Sequence, residues 1–367
     1  MNGPWTGARR ILVMRLDNIG DVVMTSPVLR ALKERLPASR ITLMASPGGS
    51  KAAPLLPWVD EVLPWRVLWQ DLGRLYLDPA REWELIETLR GGEYDAAVIL
   101  TSFKQTPHVA GYVCYLAGIP LRLGESKEWG GGVLTTEVPP APDELHQAER
   151  NLRLIEHAGF RVEDRSLGIR VPEEASRSVT ALLERRGVAP GSPYLLLSPW
   201  TSCQARTYGT GRFASAARRL SKETGWPVVV SGTEADRARA DELFGALDGR
   251  GVDLVGVTGL PELAALVEGA RLVLTNNTST MHLADALRAP AVVLFSGTEL
   301  EGQWGPRDAP HRLLRRETWC SPCYAFTCPH NLECLDIPPE EVAEAGLSLL
   351  SEVGDGFAAA PRERARR

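Results

Sequence analysis

The chain has 367 residues, long for a single core and comfortable for two domains. Its 44% hydrophobic and 24% charged residues suit an ordinary globular protein, and a net charge of −5 argues against a general nucleic-acid binder, which needs a basic face. No apolar run approaches the roughly 18 to 20 residues of a spanning helix, and "MNGPWTGARR" leads directly into a strand rather than reading as a signal peptide, so a cytoplasmic location is expected.

In the first half, strands read at "RILVM" (10–14), "RITLMA" (40–45), "DEVLPW" (60–65), "DAAVIL" (95–100) and "LRLGE" (121–125). Helical patterns lie between them, the clearest over 22–36, with Thr25, Leu29, Leu32 and Leu36 along one side. A glycine- and proline-rich stretch at 128–144 breaks the rhythm, a helix follows at 146–160, and 164–192 reads as a polar connector. The alternation then restarts. Strands are expected at "YLLLSPW" (194–200), "WPVVVSG" (226–232), "VDLVGV" (252–257), "RLVLT" (271–275) and "PAVVLFSG" (290–297), with helices at 213–225, 234–247, 260–270 and 279–289. Near-continuous apolar strands between helices predict parallel sheets covered on both faces.

The economical α/β architecture is two Rossmann-like, doubly wound domains facing a cleft, divided as 1–165 and 166–345. Residues 346–367 are left for the end of a final helix (338–353), expected to pack back across the cleft, and a tail. That tail carries Arg362, Arg364, Arg366 and Arg367. It reads either as a solvated end or as a contact for an anionic membrane surface.

Several strand-to-helix turns carry polar groups. Asn277, Thr278 and Ser279 open a helix after a buried strand, where hydroxyls and free backbone N–H groups suit a phosphate. Thr278 or Ser279 acting only as a helix cap is the alternative. "SPWTSCQARTYGTGRF" places Thr201, Ser202 and Arg206 in a similar turn, and the two together suggest a diphosphate clamp. Glu234 and Asp236 follow a third strand, where an acid either accepts hydrogen bonds from a ribose or starts a helix. Neither G-x-G-x-x-G nor a P-loop occurs, and no D-x-D is present to hold a metal on a sugar nucleotide.

The stretches "RILVMRLDNIGDVVMTSPVLRALKERLP", "LTNNTSTMHLADALRAPAVVLFSGT", "GPRDAP" and "CSPCYAFTCPHNLECLDIPPEEV" together resemble glycosyltransferase family 9, the ADP-heptose:lipopolysaccharide heptosyltransferase-like family. The resemblance covers nearly the whole chain. It implies a GT-B fold with an acceptor-binding N-terminal domain and a nucleotide-sugar-binding C-terminal domain. It also implies inverting transfer of a sugar, heptose in the family, from a nucleotide-diphosphate donor to a saccharide or glycolipid hydroxyl, with no metal or cofactor required for catalysis.

By the same resemblance Asp21 stands at the position of the catalytic base. Thr201, Ser202 and Arg206 fall where phosphate is gripped, Asp236 near the ribose-binding acid, and Asn277, Thr278, Ser279 and His282 in the donor-binding turn. Gly20 is expected to give the backbone room for the turn before Asp21. Two features depart from the family pattern. Asn277-Thr278-Ser279 replaces its Asp-Thr-Gly or Asp-Ser-Gly, and Arg206 replaces its lysine with a planar fork. Both bear on which donor is accepted. A nucleotide-sugar epimerase on the same fold, and a non-catalytic nucleotide-sugar-binding relative, are the alternative readings.

Cys320, Cys323, Cys328 and Cys334 form C-x2-C-x4-C-x5-C. This density suits a structural four-thiolate zinc site, with His330 as a substitute ligand, or else free thiols, a disulfide or an iron–sulfur centre. In none of these is the cluster expected to be catalytic.

Overall fold

Ile11 to Met14 are four consecutive apolar residues, and all four are fully buried in β1 (Arg10–Arg15). A strand that is apolar on both sides has to be covered on both faces, and that requirement builds the first sheet. The computed structural model describes residues 4–71, 73 and 75–354. The basic tail at 362–367 lies outside the described residues. The chain divides into two compact units between Arg170 and Val171.

In the first unit, β1 is followed by α1 (Ile19–Val23) and α2 (Ser26–Arg35). The single helix expected over 22–36 is thus two. Pro27 sits in the first turn of α2, where its missing N–H costs nothing, and Thr25 Oγ1 closes α1 by donating to the Val22 carbonyl at 2.6 Å. Next come β2 (Arg40–Ala45), β3 (Glu61–Pro64), α3 (Pro79–Gly91), β4 (Ala96–Ile99), α4 (His108–Leu116) and β5 (Leu121–Glu125). The glycine- and proline-rich stretch contains an unforeseen short strand, β6 (Thr136–Val138), before α5 (Gln147–His157). The sheet is parallel throughout, in the order β3-β2-β1-β4-β5-β6. His146 caps α5 by accepting the Ala148 N–H at 3.1 Å.

The second unit begins with α6 (Glu173–Arg185), inside the stretch read as a connector. Its Ala175, Val179 and Leu183 recur every four residues and are buried. β7 (Leu195–Ser198), α7 (Thr210–Thr224), β8 (Val228–Gly232), α8 (Arg237–Leu247), β9 (Gly251–Val255), α9 (Leu260–Gly269), β10 (Leu272–Asn276), α10 (Ser279–Leu287) and β11 (Ala291–Leu294) follow. The last elements are α11 (Glu301–Trp304), the edge strand β12 (His311–Leu314), which was not foreseen, and α12 (Pro339–Val353). The strand order is β12-β11-β10-β7-β8-β9, all parallel.

Alternate residues of four strands, Leu195 and Leu197, Val228 and Val230, Leu272 and Leu274, Val292 and Leu294, share a core with Phe213, Ala217 and Leu220 of α7. Val342, Ala343 and Leu349 of α12 join that same core. The apolar face of α12 is therefore buried within its own unit. Gly346 allows the approach, since a Cβ there would stand 3.0 Å from both Leu220 and Leu272.

In each sheet the order reverses direction beside its first strand, between β1 and β4 in one and between β7 and β10 in the other. The carboxyl ends of strands at such a point open a crevice, because the helices that follow leave to opposite faces.

Candidate active site

At the carboxyl end of β1, Arg15 is fully buried. A buried guanidinium needs acceptors, and three surround it. Its Nη2 donates to Asp21 Oδ1 at 2.8 Å and to Ser102 Oγ at 2.7 Å, and its Nε stands 3.1 Å from Asp17 Oδ2. Asp21 lies on the first turn of α1, where its second oxygen accepts the Asn18 N–H at 3.1 Å. It therefore starts the helix and is also aimed by Arg15, with 14% of its side chain open to solvent. Asp17 takes a further hydrogen bond from Gln105 Nε2 at 2.5 Å. Burial pushes the Asp17 carboxyl above the usual carboxylate range, an effect the Arg15 charge opposes.

Gly20 is buried within α1 and does not have a positive φ. The glycine on which this corner depends is Gly49, where a Cβ would stand 2.6 Å from the Asp17 carbonyl oxygen and 3.0 Å from Val22 Cγ2.

In the second unit, three turns meet at the carboxyl ends of β7, β10 and β11. Asn276, fully buried, joins the first two: its Nδ2 donates to the Pro199 carbonyl at 2.8 Å and its Oδ1 accepts the Tyr208 N–H at 3.0 Å. Ser198 Oγ and Thr280 Oγ1, 3.0 Å apart, tie β7 to the start of α10. Asn277 Oδ1 accepts the Ser296 N–H at 3.2 Å, while its buried Nδ2 has no hydrogen-bond partner among the described residues. A buried N–H₂ without an acceptor is costly in an empty protein and useful where a ligand oxygen arrives.

Thr278 occupies the N-cap of α10, yet its side chain makes no capping bond and instead lies 3.3 Å from Thr275 Oγ1. The capping alternative for Thr278 thus finds no side-chain hydrogen bond, and of the first turn the Met281 N–H donates to the Thr278 carbonyl at 3.1 Å. Ser279 is partly exposed beside it, and His282, one turn on, is buried.

Arg206 is held by the third turn. Its Nη2 donates to Glu299 Oε1 at 2.7 Å and its Nε to Thr298 Oγ1 at 3.2 Å. Thr201 folds onto its own turn, accepting the Cys203 N–H at 3.0 Å and lying 2.8 Å from Thr207 Oγ1, whereas Ser202 is exposed. Asp236 is mainly a cap: its Oδ2 accepts from both the N–H and the hydroxyl of Thr233, and its Oδ1 pairs with Arg239. Sequence reasoning overlooked Ser296, Thr298 and Glu299. The only signal was the polar "SGTE" that follows a buried strand.

The four clustered cysteines lie on the segment after β12, all as free thiols, Cys323 exposed and Cys334 buried. Among the described residues no group of three or more His, Cys, Asp or Glu side chains is placed to hold a metal ion. The segment instead braces the turns just described. Cys323 N–H donates to the Gly297 carbonyl and Tyr324 N–H to the Thr298 carbonyl, both at 3.0 Å. Ala205 N–H donates to the Phe326 carbonyl at 3.0 Å, and Cys328 N–H to Gln204 Oε1 at 2.8 Å.

Among the described residues no helix is long and apolar enough to cross a membrane. The profile of glycosyltransferase family 9 (heptosyltransferase) matches residues 82–332. Lipopolysaccharide heptosyltransferase 2 of Salmonella typhimurium is 26% identical over 368 residues, covering 94% of this chain and 99% of that protein. A solved family 9 glycosyltransferase from Veillonella parvula superposes with a TM-score of 0.78 at 21% identity, covering 96% of this chain and 99% of its own. The E. coli ADP-heptose lipopolysaccharide heptosyltransferase II does so with 0.73 at 22%, covering 94% and 99%. These solved structures share the GT-B fold seen here as two parallel six-stranded units. With its profile matched across most of its length, the chain belongs to glycosyltransferase family 9, the heptosyltransferases.

Proposed function

We propose that this enzyme is an inverting, metal-independent heptosyltransferase that moves the sugar of an ADP-heptose-like donor to a hydroxyl of a saccharide or glycolipid acceptor. The observation that carries the reading is Asp21: a partly exposed carboxylate at the strand-order reversal of the first sheet, fixed through one oxygen by Arg15 and through the other by the Asn18 N–H. Inverting transfer needs one such group to take the acceptor's proton as its oxygen attacks the anomeric carbon. The C–O bond to the diphosphate breaks as the new one forms, and the leaving group carries off the electron pair.

The second unit supplies what a departing diphosphate requires. Arg206, the N-terminus of α10, whose Thr278 makes no side-chain cap, and the unpaired Asn277 Nδ2 offer positive charge and hydrogen-bond donors without a divalent ion. The relatives' names support heptose and ADP as the donor parts, and lipopolysaccharide as the acceptor class. An acceptor of this class would suit a cytoplasmic enzyme working at the inner face of a membrane.

Asp21→Asn tests the reading. ADP release from ADP-heptose, in the presence of a lipopolysaccharide acceptor, should fall about a hundred- to ten-thousand-fold, the range typical of a lost general base. ADP affinity measured by calorimetry should hold. Undiminished turnover in Asp21→Asn would end the assignment of the base, and turnover without any acceptor would favour an epimerase.

A further inference from the structure

The turn after β11 has no role in the reading above, yet it holds that reading's main cation. We infer that Glu299 is a positioning residue for donor binding: with Thr298 it fixes the Arg206 guanidinium so that the remaining N–H groups are presented to the diphosphate. The inference rests on Arg206 being a phosphate ligand, as proposed above.

A guanidinium is a planar fork with five N–H groups. Glu299 Oε1 takes one at Nη2 and Thr298 Oγ1 takes the one at Nε, which fixes the plane at two of its three nitrogens and leaves Nη1 for a ligand. One of the two acceptors is itself anchored. Thr298 is 1% exposed, and its hydroxyl lies 2.9 Å from Ser296 Oγ. Ser296 N–H in turn donates to Asn277 Oδ1, so a continuous polar chain runs from the α10 turn to Arg206.

The bracing segment closes the unit from behind. Residues 323–324 hold the Gly297 and Thr298 carbonyls, and residues 326–328 hold Gln204 and Ala205 beside Arg206. The two turns that carry the cation and its acceptors are therefore held together before any ligand arrives. A long side chain on a short 3-10 turn would otherwise lose much rotamer freedom on binding, and orienting it beforehand removes that cost.

A carboxylate against an anion-binding cation has a second possible consequence, competition with the diphosphate, and the two differ in sign. ADP binding, with UDP and GDP in parallel, is measured by calorimetry for the wild type, Glu299→Ala, Arg206→Ala and the double variant. Positioning predicts that Glu299→Ala weakens ADP binding about tenfold, the equivalent of one charge-assisted hydrogen bond. It also predicts that the same change has no effect once Arg206 is alanine, and that Glu299→Asp recovers part of the loss.

Tighter or unchanged ADP binding in Glu299→Ala would overturn the inference. An equal loss in the Arg206→Ala background would also do so, because the effect would then be structural and not carried by the guanidinium. If Arg206→Ala alone leaves ADP affinity intact, the donor-site reading itself fails, whatever Glu299 does.

Discussion

Arg15 Nη2 lies 2.8 Å from Asp21 Oδ1 while its Nε lies 3.1 Å from Asp17 Oδ2, so one fully buried cation serves two acids. Removing one member of a buried ionic cluster leaves the others uncompensated, which costs more than the intact cluster contributes. Arg15→Met should therefore lower stability by about 3 kcal/mol, read from the urea midpoint of tryptophan fluorescence. Arg15→Lys should restore only part of this, since a point charge cannot span both acids as the fork does. A loss near zero in Arg15→Met would mean that water readily replaces the guanidinium.

Gly49 and Gly48 offer a paired test of how tightly the same corner is built. A Cβ on Gly49 would sit 2.6 Å from the Asp17 carbonyl oxygen, a backbone atom that is already accepting the Ser46 hydroxyl at 2.5 Å. A Cβ on Gly48 would meet only Ser46 Oγ, at 3.8 Å. Gly49→Ala should cost about 1–3 kcal/mol through overpacking, and Gly48→Ala about 0.5 kcal/mol or less. Equal midpoints for the two variants would show that the loop moves aside freely.

The long apolar strands were legible because burial on both faces leaves an unmistakable run of residues, as in "RILVM" and "YLLLSPW". β6, with three residues, and β12, partly exposed along its length, carry no such run. α6 was missed because only Ala175, Val179 and Leu183 of its thirteen residues are buried, which leaves the stretch mostly polar. At the site, Arg206 and Asn277 were named from polar turns that follow apolar runs, and Asp21 from the resemblance of its segment to family 9. Glu299 was not, because its role exists only through Arg206, distant in sequence, and Arg15 was not, because it reads as the last residue of a strand until its full burial beside Asp17 and Asp21 is seen. Asp236 follows a strand as expected, and the helix-start reading of it has its bonds, from the N–H and the hydroxyl of Thr233.

The cysteines should separate by reactivity. Burial pushes the Cys114 thiol up to about 12, so at pH 8 only about one molecule in ten thousand carries the reactive thiolate there. Cys323 is exposed. Iodoacetamide at pH 8, followed by peptide mass spectrometry, should label Cys323 first and leave Cys114 unmodified until denaturant is added. Joint protection of Cys320, Cys323, Cys328 and Cys334 by one equivalent of zinc would show that the segment closes around a metal.

Charge at the leaving group gives the last test. In the reading above Arg206, held by Glu299 and Thr298, and the first turn of α10 carry the stabilisation that a divalent ion provides in other transferases. EDTA should then leave the initial transfer rate within about twofold, well inside the several kcal/mol a catalytic metal supplies. Arg206→Ala should lower kcat/KM for the donor by about ten- to a hundredfold, the equivalent of one or two charge-assisted hydrogen bonds. Arg206→Lys should fall between, because the ammonium keeps the charge but cannot hold Glu299, Thr298 and phosphate in one plane. A rate that collapses with EDTA and returns with a divalent ion, while Arg206→Ala is mild, would assign the diphosphate's counter-charge to a metal instead.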